Sequence, residues 1–341
     1  MFRVQEEAAS GAFLEPSLVR LSGLELLRTY LTGNYERAPI AHLTGMHPTQ
    51  VEVGAATSVM PLSDWLRSSR GSISEGVLMI PGDSALGSAV HTTLPEATLY
   101  TTAELSLTWL RTVGPGGEAI AASRAIFTGA TMALSQVQVT DHQGQLLAYG
   151  ASRCTVFPPL PEVPSAPPPG SASPEAGSGE PDPYLRPVQG AVLGRDIWPV
   201  SSGREVLDAQ LRGDLPQPPV HELFGLSLNE VDEGVCVFSL PCTRWLCGPV
   251  GYVQGGVIAL LAHTALQAAV QTTVATGTGC VPLDVKVNLL RPVPPDGRDL
   301  VARGQVVHRG RSYAIANAEV TNADGKRVAL VTGSSEYRQT L

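Results

Sequence analysis

The sequence specifies an α+β protein built from two copies of one unit, each a buried central helix accompanied by antiparallel strands. Three observations carry this reading. Residues 251–270, GYVQGGVIALLAHTALQAAV, are echoed at residues 71–90, GSISEGVLMIPGDSALGSAV, an offset of 180 positions. Each copy opens on glycine and is apolar nearly all round, which marks a central helix rather than a one-sided surface helix. Each is then followed by segments rich in β-formers and separated by turn residues. At 341 residues the chain can form two domains that each bury a core.

The elements follow in order. An N-terminal helical extension is expected over 1–40, because residues 16–31 (PSLVRLSGLELLRTYL) place leucines at helical spacing and stop at Thr32-Gly33. The first unit spans 41–157. In it, residues 50–60 (QVEVGAATSVM) alternate weakly up to Pro61 and read as one strand. After the central helix come four expected antiparallel strands at 98–110, 118–127, 131–140 and 145–157, the last entered through the turn Asp141-His142-Gln143-Gly144. From 158 to 198 the chain reads as a linker, since its first thirty residues are dense in Pro, Gly, Ser and acid and too poor in apolar residues to fold alone. The second unit, with a short helix before it, occupies 199–341.

The repeat runs well beyond the central helix. Gly33, Pro39 and Gly45 match Gly213, Pro219 and Gly225; MPLSDWL at Met60 matches LPCTRWL at Leu240; Arg111 matches Arg291, all at the same offset. Later, Gly129, Val139 and Gly144 pair with Gly310, Val320 and Gly325 at an offset of 181, through one inserted residue. Units of this length are duplicated domains rather than solenoid repeats.

A formal charge of -8 without a long basic run argues against a nucleic-acid partner. Cys154, Cys236, Cys242, Cys247 and Cys280 are odd in number and contain no C-x-x-C pair, so neither a disulfide framework nor a zinc site is indicated. The opening MFRVQEEAASGAF has early acids and no apolar core, unlike a secretory signal. The longest apolar block, 255–270, falls short of the roughly 20 residues that a membrane span requires. The expectation is a soluble, cytoplasmic protein without membrane insertion.

GYVQGGVIALLAHTAL, followed by VPLDVKVNLLRPV and VVHRGRSYAIANAEVTNADGKRVALVTGS, resembles the hotdog-fold acyl-CoA thioesterases of the PaaI-like family. The resemblance covers nearly all of 220–337 and, more weakly, about 42–157. It implies two hotdog domains in one chain, each a long central helix wrapped by a curved antiparallel sheet, paired as a pseudo-dimer that stands alone or associates into a homo-oligomer. It also implies an acyl-CoA substrate, with coenzyme A present only as part of that substrate and neither metal nor cofactor required.

The family signature is a His-Gly-Gly opening the helix and, nine residues after the His, an Asp or Glu that attacks the thioester or activates water. By position the His becomes Gln254 in the second unit and Ser74 in the first. The glycine pair survives as Gly255-Gly256 but is Glu75-Gly76 in the first unit, and the carboxylate is Asp83 in the first unit but His263 in the second. Nine helical residues span roughly 13 Å, so the two parts of a signature cannot meet on one helix. In the paired fold the helices run antiparallel, which sets Asp83 against Gln254 and Gly255, and His263 against Ser74 and Glu75.

The first combination keeps what a thioesterase needs. The NH of Gly255, at a helix opening, suits a developing oxyanion, and Asp83 supplies base or nucleophile. Gln254 takes an orienting role, and Thr102 falls where some members carry a hydroxyl that positions water. Gly256, with Arg309 and Arg311 in the HRGR turn, is assigned to substrate binding, because guanidinium groups suit the phosphates of coenzyme A; a solvated turn accounts for the same arginines. The site of His263, Ser74 and Glu75 lacks the carboxylate and reads as degenerate, with His263 a core histidine or relic. Pro81-Gly82 just before Asp83 leaves open a helix that kinks or starts there.

Hydrolysis of an acyl-CoA to acid and CoA is therefore the leading expectation. The alternative is a non-catalytic acyl-CoA or lipid-binding pseudoenzyme, motivated by the loss of both signature histidines. A hotdog enoyl-CoA hydratase ranks below both, because Gly82-Asp83 continues into Ser84-Ala85 rather than Asn-Pro.

Overall fold

The computed structural model describes residues 4–33, 35–163 and 180–339; the middle of the expected linker, 164–179, lies outside the described residues. Its helices are α1 (Gly23–Leu31), α2 (Pro39–Thr44), α3 (Met79–His91), α4 (Gly203–Arg212), α5 (Pro219–Phe224) and α6 (Gly255–Thr272). Its strands are β1 (His47–Glu52), β2 (Ala55–Pro61), β3 (Tyr100–Trp109), β4 (Glu118–Thr128), β5 (Met132–Asp141) and β6 (Leu146–Val156) in the first half. The second half has β7 (Ser227–Asp232), β8 (Val235–Pro241), β9 (Thr278–Leu289), β10 (Asp299–Arg309), β11 (Tyr313–Thr321) and β12 (Arg327–Gln339).

All twelve strands form one sheet in the order β1-β2-β4-β5-β6-β3-β9-β12-β11-β10-β8-β7, which reads as a half followed by its mirror. The seam is the antiparallel pair β3 and β9, with Leu105 opposite Val287 and Leu107 opposite Val285. Every pairing in the sheet is antiparallel, and in each half the strand after the central helix crosses to the seam while the next three return in sequence, the architecture of a double hotdog. Helix α3 packs on strands of the first half and α6 on strands of the second, and the two helices touch each other. Because the sheet covers one side and the partner helix another, α6 buries residues all round, from Val257 to Val270, as its unpatterned apolar run demands.

Three local expectations change. The single strand over 50–60 is a hairpin: Gly54, with φ of 73°, turns the chain between β1 and β2. The single helix over 16–31 is a 3-10 turn at Pro16–Arg20 followed by α1, because Leu21 is extended and Ser22 starts a new helix through a capping box with Glu25. Ser202 and Glu205 cap α4 in the same way. The first central helix opens with a 3-10 turn, Glu75–Leu78, before α3. Pro81, lacking an N–H, is tolerated there because it sits in the first turn of α3.

The halves also exchange short helices. The Ile40 NH at the start of α2 bonds to the Cys247 carbonyl in the second half at 3.1 Å, while the Val220 NH of α5 bonds to Arg67 in the first half at 3.3 Å. Of the 158–198 stretch, part is docked: Asp182 accepts from Arg37 at 2.9 Å and pairs with His42 at 2.8 Å, and the Trp65 indole donates to the Arg186 carbonyl at 2.9 Å. These polar anchors lie outside anything an apolar pattern reports. Among the described residues no helix is long and apolar enough to cross a membrane.

Candidate active site

Residues 76 to 83 on the first helical segment meet residues 263 to 256 on α6 in reverse order, so the two helices cross antiparallel. A Cβ on Gly256 would lie 2.5 Å from the Met79 carbonyl oxygen and 2.7 Å from the Ile80 Cα, and one on Gly76 would lie 2.7 Å from Nδ1 of His263. Glycine is therefore what allows the backbones to approach. That approach brings Asp83, in the second turn of α3, to the opening of α6.

Asp83 is 7% exposed. Its Oδ2 accepts from the Gly256 NH at 2.9 Å and its Oδ1 accepts from the Thr102 hydroxyl, on β3, at 3.0 Å. Burial raises its pKa above the usual aspartate range, and the hydrogen bonds from Gly256 and Thr102 offset this only in part. The carboxylate is thus a stronger base than an exposed one, held by a donor on each oxygen. Gln254, the residue before α6, donates through Nε2 to the Ile80 carbonyl at 3.1 Å, while its buried Oε1 has no partner among the described residues. The Gly255 NH, at the first position of α6, also makes no hydrogen bond among the described residues, as expected of a first-turn donor.

So Asp83, Thr102, Gln254, Gly255 and Gly256 come together. The glycine NH that holds the carboxylate is that of Gly256, which leaves the Gly255 NH as the free donor. Arg309 and Arg311 do not join them. Both are exposed, Arg309 faces Glu233 at 4.0 Å, and the Ser312 carbonyl of their turn accepts from Tyr337, whose register partner on β9 is Cys280. Cys280 belongs to the opposite end of the helix pair.

That opposite end holds the other predicted cluster. A cavity of about 190 Å³ is lined there by Ser74, Glu75 and His263 together with Arg70, Trp198 and Cys280. His263 is 3% exposed and its ring lies 4.7 Å from that of Trp109. Burial lowers its pKa to about 4, so the ring is neutral at pH 7, and neither nitrogen has a partner among the described residues. Each unpaired buried polar group costs roughly 1–3 kcal/mol. Burial pushes Glu75 up to about 7.

Trp109 was not singled out in the sequence. Its indole donates to the Glu75 carbonyl at 3.0 Å while its ring covers His263. The repeat does carry a signal for it, since the matching residue, Leu289, packs against Gly255 in the Asp83 site. Among the described residues no group of three or more His, Cys, Asp or Glu side chains is arranged to hold a metal ion.

Replacing Thr102 with Val removes one of the two donors to Asp83 at nearly constant volume. We expect the apparent pKa of the activity profile to rise and the rate below that pKa to fall about tenfold, consistent with loss of a hydrogen bond to a charged group worth about 1.5 kcal/mol. A pH–rate profile of Thr102→Val superimposable on that of wild type would exclude this role.

Comparison with known proteins gives a consistent result. The thioesterase superfamily pattern matches residues 250–329. The acyl-coenzyme A thioesterase PaaI of Escherichia coli (strain K12) is 30% identical over 112 residues, which are 33% of this chain and 77% of that protein. Among solved structures, the tesB protein of Mycobacterium avium subs. paratuberculosis aligns over 88% of this chain and 98% of its own with a TM-score of 0.55 at 12% identity. A Novosphingobium aromaticivorans protein assigned as a thioesterase aligns over 82% and 95%, with a TM-score of 0.52 at 15% identity. The latter two likenesses span both halves and concern the fold.

Proposed function

The chain belongs to the PaaI-like thioesterase family as a double hotdog, and from that premise we propose that it hydrolyses an acyl-CoA thioester to the free acid and CoA at one composite site. The observation that carries the proposal is the Asp83 carboxylate, buried and held at 2.9 Å by the Gly256 NH at the opening of the opposite helix. A carboxylate with a raised pKa, fixed beside the unused Gly255 NH at the helix opening, is suited to general-base work on a carbonyl.

In this reading a water donates one proton to the unpartnered Gln254 Oε1 and the other to Asp83, whose carboxylate the Thr102 hydroxyl holds in place. Asp83 removes one proton from the water as its oxygen attacks the thioester carbon. The carbonyl oxygen becomes an oxyanion facing the Gly255 NH, where the positive end of the α6 dipole stabilises it. Collapse of this intermediate breaks the C–S bond, and the proton on Asp83 passes to the departing thiolate, leaving acid and thiol. Asp83 ends ionised, as it began.

The test is release of free thiol from CoA esters of short, medium, long and aromatic acids. Wild-type protein is expected to turn over at least one class. Saturable binding of these esters with no thiol release from any would replace the proposal with a non-catalytic acyl-CoA-binding role.

A further inference from the structure

The cavity around His263 is not a closed relic. It combines an apolar wall of Val220, Phe238 and Val281 with polar side chains that include the buried carboxyl of Glu75, and Arg70 and His263 mark two places in it. At one, the exposed Arg70 lies with its guanidinium carbon 3.8 Å from the centre of the Trp198 ring. Arg70 makes no hydrogen bond or ion pair with any described residue. At the other, His263 is buried and neutral with both nitrogens unpaired, Nδ1 lying against Gly76. A neutral imidazole carries one donor and one acceptor, and a buried one ordinarily has both engaged.

We propose that this cavity is a second, non-hydrolytic ligand site that takes a small hydroxy- or oxo-acid, its carboxylate on Arg70 and its hydroxyl or carbonyl on His263. The guanidinium fork matches a carboxylate with two parallel hydrogen bonds, and stacking on Trp198 fixes its plane. The imidazole meets either kind of far-end group, because its neutral ring can donate or accept. The hydrocarbon between them lies on Val220, Phe238 and Val281. A volume of about 190 Å³ is below the roughly 300–1,000 Å³ of drug-sized sites, which restricts the ligand to a compact acid. The Asp83 and Thr102 pair is not repeated here, since its repeat positions are His263 and Pro282; the carboxyl that does line this cavity is that of Glu75, pushed by burial up to about 7. The site thus lacks the arrangement proposed for hydrolysis at Asp83. It goes beyond the proposed thioesterase reaction and depends on it only in that hydrolysis is one source of such acids.

The experiment is calorimetric titration of the full chain with 6-hydroxyhexanoate, hexanoate and 1-hexanol, which supply both polar ends, the carboxylate alone and the hydroxyl alone. Wild type is expected to bind the hydroxy acid saturably and at least about fivefold more tightly than either single-ended probe. Arg70→Gln should abolish the preference for 6-hydroxyhexanoate over 1-hexanol. His263→Phe should abolish its preference over hexanoate. Asp83→Asn should leave all three affinities unchanged. Absence of saturable binding, a preference that survives Arg70→Gln, or loss of binding in Asp83→Asn would each overturn the proposal, the last by moving the ligand to the other site. Thiol release measured on the same preparations distinguishes failure of this site from failure of the hydrolytic one.

Discussion

Asp83→Asn is expected to lower kcat for thiol release by about a hundred- to ten-thousand-fold, the range for loss of a positioned general base. Asparagine keeps the shape, and its carbonyl oxygen still accepts from the Gly256 NH, so the loss reports the base rather than the fold. The same change is expected to move stability the other way. The folded pKa of Asp83 lies above its unfolded value, so the folded protein binds the proton more tightly. The cost of ionising the buried group is absent below the unfolded pKa near 3.8, grows as pH rises towards the folded pKa, and is constant above it. Asparagine removes that cost. At neutral pH the variant should therefore unfold at a temperature equal to or above that of wild type, with the advantage shrinking as pH falls towards 4. Activity in wild type should rise with pH through the folded pKa of Asp83. A fully active Asp83→Asn protein would remove this residue from the mechanism.

Gly256→Ala is expected to be the most damaging single methyl in the helix pair. The new Cβ would stand 2.5 Å from a backbone oxygen and 2.7 Å from a backbone carbon of the opposite helix, and neither can rotate away. The helices must separate, at a cost of about 1–3 kcal/mol or more for overpacking. Separation also lengthens the 2.9 Å bond between the Gly256 NH and Asp83, so activity and stability should fall together. The repeat supplies an internal control. At Gly76 the added Cβ would meet side-chain atoms of His263 and Leu260, which can shift, so Gly76→Ala should cost less. Thermal unfolding of the two variants checks the ranking; equal losses would mean that the crossing is set by side chains rather than by backbone contact.

Residue by residue, much of this arrangement was legible before the structure. The 180-residue offset aligned the two central helices, and the length of nine helical residues already set Asp83 against the opposite helix. The four strands after α3 fall within two residues of their expected limits, because their alternation and turn residues are local signals. The hairpin at Gly54 was not legible, since a lone glycine in a weakly alternating run reads as strand or turn alike. Nor was the 3-10 opening of α3, where Pro81 and the crossing with α6 act together.

The site divides along the same line. Which residue types face each other follows from the repeat and the antiparallel pairing, both properties of the sequence. Which NH holds Asp83 does not: Gly255 and Gly256 are one residue apart, and helix rotation at the crossing aims one NH at the carboxylate and leaves the other free. The cavity is likewise tertiary. It is walled by Arg70 from one half, Trp198 from the end of the 158–198 stretch and Val281 from β9, residues that no local pattern relates. The sequence by itself determined two like halves, their central helices and the separation of Asp83 from His263. Only the packed chain decided how closely the helices meet and where space is left between them, because close approach and unfilled volume depend on every side chain around the crossing at once.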